Sequence, residues 1–126
     1  MTLRFLEFER SDDGEGVTTF EAMASVRGER WPLLLNEASQ LLSAVHGAFP
    51  EGPVPLDEGG EWDCALEARL EPDHPIDCRF EPASGLLFAQ GDVDSPAFHT
   101  LTLTLCGREA WAQAFADAWL ADEGGH

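Results

Sequence analysis

Phe98-His99-Thr100-Leu101-Thr102-Leu103-Thr104-Leu105-Cys106, then Gly107, then Arg108-Glu109-Ala110-Trp111-Ala112-Gln113-Ala114-Phe115-Ala116-Asp117-Ala118-Trp119-Leu120 is the stretch that decides the fold. Its first part alternates Thr with Leu, the pattern of a strand with one buried face. After Gly107 the period changes. Trp111, Phe115, Ala118 and Trp119 then recur at the spacing of one helical stripe. A strand whose leucines face a core, followed at once by a helix rich in large aromatics, predicts a helix folded back onto a sheet. Fold class follows from this stretch; chemistry does not.

Working outward, the chain before it supplies the rest of the sheet. Leu3 to Arg10 reads as a first strand, with Leu6 and Phe8 on one face and Leu3 and Phe5 on the other. Ser11-Asp12-Asp13-Gly14-Glu15-Gly16 is a turn cluster. Val17 to Val26 reads as a second strand, with Phe20, Ala22, Ala24 and Val26 on one face, so the two form a hairpin. Pro32 stands where a helix starts. Leu34, Ala38, Leu41, Leu42 and Val45 follow at helical spacing, Gly47 is a natural stop and Pro50 forbids continuation. This predicts a first helix over residues 32–46, with Glu37 and Gln40 pointing outward. Residues 50–60 read as a surface loop.

Trp62, Cys64, Leu66, Ala68 and Leu70 alternate with Asp63, Ala65, Glu67, Arg69 and Glu71. After Pro72-Asp73-His74-Pro75, Ile76, Cys78 and Phe80 alternate with Asp77, Arg79 and Glu81. Pairing Leu70 with Ile76 sets Ala68 against Cys78 and Leu66 against Phe80. The other face then pairs Arg69 with Asp77 and Glu67 with Arg79, both of opposite sign. In this register Cys64 lies about 13 Å along the strand from the partner of Cys78, at about 3.3 Å per residue. A disulfide needs Cα atoms within about 7 Å, which predicts that these two cysteines are not bonded to each other. Leu86 to Gln90 is a short strand in which Leu86 or Leu87 could face inward. The expected fold is therefore α+β: a mainly antiparallel sheet of about six strands with two helices packed on one face, in the order β-β-α-β-β-β-β-α. Residues 1–126 form one domain, with 122–126 expected to be a disordered tail.

Composition narrows the function classes. Acids number 24 against 7 bases, for a net charge of -17, and every base is Arg. Such a surface repels nucleic acid and anionic membrane and attracts a basic protein. The plainer account of the charge is solubility or adaptation to salt. No apolar run is long enough for a membrane span, and the N-terminus lacks a signal core, so a cytoplasmic location is expected. Cys64, Cys78 and Cys106 are odd in number and unrelated in spacing, which argues against a secreted disulfide framework.

The residues that could carry chemistry are few. His46, His74, His99 and His126 have no metal-ligand spacing, and His74 falls in an expected turn. Asp92-Val93-Asp94-Ser95 begins like a calcium loop, but it lacks the Gly at its sixth position and the closing Glu. No motif implies a metal, a cofactor or a catalytic residue. Cys106, close to a helix N-terminus that would stabilise a thiolate, is the best nucleophile candidate, and a strand-end Cys packed as a small hydrophobe is the plainer reading. The acidic cluster Asp57, Glu58, Glu61, Asp63, Glu67, Glu71, Asp73 and Asp77 would give a broad negative surface on the sheet face opposite the helices. Arg69 and Arg79 would partly neutralise its middle. That surface is either a solvated face or a docking site for a basic protein.

Glu61-Trp62-Asp63-Cys64-Ala65-Leu66-Glu67, Leu86-Leu87-Phe88-Ala89-Gln90-Gly91, Leu101-Thr102-Leu103 and the closing helix together resemble small bacterial immunity proteins of contact-dependent toxin systems, in particular the WapI-like group. The resemblance covers about half the chain, excluding residues 50–60 and the tail, and assigns no single functional residue. It implies a protein that binds and neutralises a toxin, often a basic nuclease. Three functional expectations follow. The first is a non-enzymatic acidic binding protein that docks a basic partner. The second is a small enzyme with a cleft near Cys106. The third is an accessory domain whose acidity only confers solubility, with a homodimer through an exposed strand edge as its open possibility.

Overall fold

The described residues run through seven strands and two α-helices: β1 (Phe8–Asp12), β2 (Val17–Arg27), α1 (Trp31–Ala48), β3 (Trp62–Leu70), β4 (His74–Ile76), β5 (Cys78–Glu81), β6 (Leu86–Ala89), β7 (Phe98–Arg108) and α2 (Glu109–Trp119). They are seen in a computed structural model that describes residues 3–120. The expected tail at 122–126 lies outside the described residues. The class is α+β, as the alternation and the closing helix predict. No helix among the described residues is long and apolar enough to cross a membrane.

Two sheets replace the single one expected. The larger has the order β1-β2-β7-β3-β4, and β5-β6 stand apart as a hairpin. The Thr/Leu strand β7 is central. It pairs antiparallel with β2 along its whole length and with β3 from Trp62 to Leu70. Leu101, Leu103 and Leu105 are fully buried, and Phe20, Ala22 and Ala24 beside them are buried too. Gly107 does not end the strand. The ladder continues to Arg108, opposite Val17. A Cβ at Gly107 would lie 2.2 Å from the ring of Trp111, so the glycine makes room for the helix to cross the strand.

Both helices lie on this apolar face. Trp111 and Phe115 of α2 pack on Phe20, and His46 of α1 packs on Trp62. Ala112 is buried in place of the expected Ala118, which is exposed. Trp62 and Trp111 stack at 5.7 Å with rings 4° apart, and Trp111 and Phe115 stack at 5.2 Å. The indole N–H groups of Trp31, Trp62 and Trp111 are buried without an acceptor among the described residues. Ring area and packing hold the cluster.

Three local expectations are corrected. The first strand begins at Phe8, because Glu37 removes the segment before it from the sheet. Its carboxylate accepts the backbone N–H groups of Arg4, Phe5 and Leu6. Glu37 thus faces the N-terminal segment instead of pointing outward. The first helix runs past Gly47 to Ala48, and Pro50 stops it; the N–H of Phe49 still reaches the Val45 carbonyl. Finally, β4 pairs with β3 two residues out of the expected register: Ala68 faces Ile76 and Leu70 faces His74. The chain leaves the sheet at Asp77, so Cys78 and Phe80 pair with Ala89 and Leu87 instead of β3. The expected pairs Arg69 with Asp77 and Glu67 with Arg79 do not form. Helix α1 explains the departure. Its Ser39 hydroxyl accepts the Leu87 N–H at 2.8 Å and its Ser43 hydroxyl donates to the Gly85 carbonyl, holding the hairpin against the helix. Leu87 is the buried leucine of that strand and Leu86 is exposed.

Candidate functional site

The outer face of the larger sheet is the candidate site, and its rows can be read strand by strand. Ser11, Thr19, Cys106 and Asp63 form one row; Glu9, Glu21, Thr104 and Ala65 the next. Met23, Thr102 and Glu67 follow, then Ser25, Thr100, Arg69 and Pro75. The same alternation that buries the leucines puts three threonines in the centre of this face. Glu21, Met23, Ser25, Ala65, Glu67 and Arg69 are exposed, and Met23 keeps 67% of its surface. The helices and the hairpin occupy the opposite side. The face thus has a threonine centre, with Glu9, Glu21, Asp63 and Glu67 around it and Arg27, Arg69 and Arg108 toward its ends.

The eight acids singled out from the sequence do not form one patch. They follow β3, a strand of nine residues, and gather at its two ends. At about 3.3 Å per residue those ends are roughly 26 Å apart. Asp57 and Glu58 occupy a single 3₁₀ turn, Leu56–Glu58, and Glu61 and Asp63 adjoin it. Arg108 fixes this end: its side chain donates to the Gly60 and Leu56 carbonyls and its backbone N–H to the Glu61 carbonyl. At the other end Glu71 and Asp73 lie in the turn before β4, and Asp77 follows it. Glu67 is between the two groups on the outer face. Glu67 and Asp73 both bind Arg69, so their charge is partly spent within the molecule. Arg79 is on the separate hairpin, bonded to Glu81 at 3.2 Å and lying over Phe88.

Two acids that the reading of the sequence passed over complete the face. Glu9 of β1 is directly opposite Glu21 of β2. Like charges directly opposed on a sheet are destabilising. Neither has an ion-pair partner among the described residues. The hairpin register was the signal: with Asp13 bonded to Val17 across the turn, counting back four residues on one strand and forward four on the other sets Glu9 against Glu21.

The thiols and imidazoles do not assemble a reactive centre. Cys64, Cys78 and Cys106 are free thiols. Burial, then the charge of Asp63, push the Cys106 thiol above its ordinary value. The thiolate expected from the helix N-terminus is therefore disfavoured, not stabilised. Cys64 is pushed up to about 11, mainly by burial. Burial holds His46 below its ordinary value, between Trp62 and Phe80. His99 is buried, with Nε2 accepting the Asp92 N–H and Nδ1 donating to the Ala97 carbonyl. His74 is exposed at the sheet edge. Asp92 uses one carboxylate oxygen to accept the Asp94 N–H, so the calcium-like stretch is a turn that holds itself. Among the described residues no group of three His, Cys, Asp or Glu side chains is arranged to hold a metal ion.

Comparison with protein-family models, with curated proteins and with solved structures gave no match.

Proposed function

We propose that this chain is a non-enzymatic binding protein of the immunity or antitoxin kind, docking a basic protein through the outer face of its large sheet. One observation carries the reading: an uncovered sheet face with a threonine centre holds two glutamates, Glu9 and Glu21, directly opposite each other, with no ion-pair partner for either among the described residues. A cationic side chain set there would relieve that repulsion. The same charges would steer a basic partner into encounter, raising the on-rate about 10–10³-fold at low ionic strength. The resemblance to immunity proteins points the same way. In the partner-binding set, Glu61 and Asp63 at one end of β3 rank ahead of Glu67 and Asp73, which Arg69 already engages.

The test is a binding measurement with and without the face. The chain and a variant carrying Glu9→Gln, Glu21→Gln, Asp63→Asn and Glu67→Gln are used to isolate complexes from the native host at low and at high salt. A basic protein held in equal stoichiometry by the first and not by the second supports the reading. A partner held equally by both counts against it.

A further inference from the structure

Strand β4 covers the outer edge of β3 only from Ala68 to Leu70. From Trp62 to Leu66 that edge has no strand on it, and β5 belongs to the other sheet. The even-numbered residues of β3 turn their backbone groups away from β7 and toward this edge. The Trp62 carbonyl accepts the Val54 N–H there, and the Asp63 carboxylate accepts the Cys64 N–H. On the other side of the gap the Asp77 carbonyl accepts the Gln90 N–H. Odd-numbered residues of β5 therefore face β6, and Cys78 and Phe80 turn their backbone groups toward β3. An open cleft of about 510 Å³ lies between, with Leu66, Glu67, Asp77 and Cys78 among its lining residues.

Charge accounts for the missing ladder. Continued from Ala68 and Ile76, the β3–β4 register would set Leu66 against Cys78 and Cys64 against Phe80 on the apolar face. That face matches. On the outer face the same register would set Glu67 against Asp77 and Asp63 against Glu81, two like-charged pairs, which are destabilising. The register expected from the sequence lies two residues away and pairs opposite charges; the shift turns its attractions into repulsions. Two cations stand nearby. Arg69 divides between Glu67 and Asp73, and Arg79, which would face Ala65, binds Glu81 and lies over Phe88. Asp77 has no ion-pair partner among the described residues. Burial, then the charges of Asp77 and Glu67, push the Cys78 thiol up, as two carboxylates converging on this point would.

We propose that β5 is a strand poised beside β3 and kept off it by charge, so that neutralising Asp77 closes the ladder at Leu66 and Cys78 and joins the two sheets into one. The hairpin keeps its hold on α1 in both states. Its bonds to Ser39 and Ser43 are made by Leu87 and by Gly85 in the turn, and neither uses the β5 edge that faces β3. A cationic side chain brought between Glu67 and Asp77 would act as the substitution does. On the docking reading above, a basic partner therefore closes the strand as it binds.

Amide hydrogen exchange of the isolated chain, followed by NMR at one pH, tests this with no partner present, so its failure would leave the docking reading standing. Four proteins are compared: the native chain, Asp77→Asn with Glu81→Gln, Asp77→Lys, and a control, Asp57→Asn with Glu58→Gln, which changes the net charge equally outside the ladder. Each is checked for native circular dichroism. Both β5 variants should slow exchange at Leu66 and Cys78 at least about tenfold and show cross-strand nuclear Overhauser effects between them, while the control matches the native chain. A native chain whose Leu66 and Cys78 amides are already as protected as those of β7 overturns the proposal. So do β5 variants that exchange like the native chain, or a control that slows exchange as much as they do.

Discussion

Glu37 shows how one side chain decides where a strand begins. Its carboxylate serves three consecutive backbone N–H groups that the sheet leaves unpaired. Removing it strands those donors at a partly buried site, where an unmet donor costs about 1–3 kcal/mol. Glu37→Ala should therefore lower the stability by about 2 kcal/mol and expose the amides of residues 4–6 to fast hydrogen exchange, with Glu37→Gln losing less. None of this was legible beforehand, because Glu37 lies at the edge of the Leu34–Ala38 stripe and the backbone groups that it serves come from a segment more than thirty residues earlier. His46 gives a pH signature. Burial holds its folded value below the ordinary 6.5, so the folded state takes up this proton less readily than the unfolded chain. Its stabilising share is complete above pH 6.5 and is lost as the pH falls toward the folded value. An NMR titration of its ring should give a midpoint below 6.5, and a midpoint at or above that value would contradict the packing against Phe80 and Trp62. The thiols were half legible: their packing could be read from strand position, the rise in proton affinity at Cys106 could not. With Cys64 at about 11, its alkylation at neutral pH should be about a hundredfold slower than that of an unfolded cysteine.

At the scale of the element, β7 and α2 were the most legible part of the chain, since the Thr/Leu alternation from Thr100 to Leu105 leaves one choice of buried face. Leu103 is fully buried at the centre of that strand. Leu103→Ala should cost about 3 kcal/mol and lower Tm by roughly 10 °C, measured by calorimetry. Gly107 is the element's hidden constraint. Read as a boundary, it is a contact: Gly107→Ala would drive a methyl group into Trp111 and should destabilise at least as much, with the near-ultraviolet circular dichroism of the tryptophan stack reduced. The β4–β5 break was illegible for a physical reason. Alternation from Ile76 to Glu81 is unbroken, so nothing local marks Asp77 as the place where the chain leaves the sheet. The cause is a long-range bond from Ser39 to Leu87, forty-eight residues away. Ser39→Ala removes that acceptor and should loosen the hairpin selectively, seen as faster exchange at Leu87 with β7 amides unchanged.

On the whole molecule, charge and shape divide the surface into two sides. The sheet side has four carboxylates, Glu9, Glu21, Asp63 and Glu67, around a threonine centre with Arg27, Arg69 and Arg108 on the same face, and the helix side has an uncharged outer face of α1 beside an apolar groove. The sequence showed the excess of acid but not its distribution. It placed Asp63 and Glu67 correctly on the outer face, and it could not place Glu9 against Glu21 without the hairpin register, nor see that the eight acids split between two ends of one strand. On the proposed function the sheet side takes a basic partner, and salt should weaken that contact. The salt dependence of partner retention tests the functional claim most directly. The native chain and the variant with Glu9, Glu21, Asp63 and Glu67 neutralised are tagged, expressed in the native host and isolated at low and high salt. The account predicts one basic protein at equal stoichiometry on the native chain at low salt, weakened as salt rises, and absent from the variant. A native chain that holds no basic protein at low salt, or a variant that holds the same one as firmly, would contradict it.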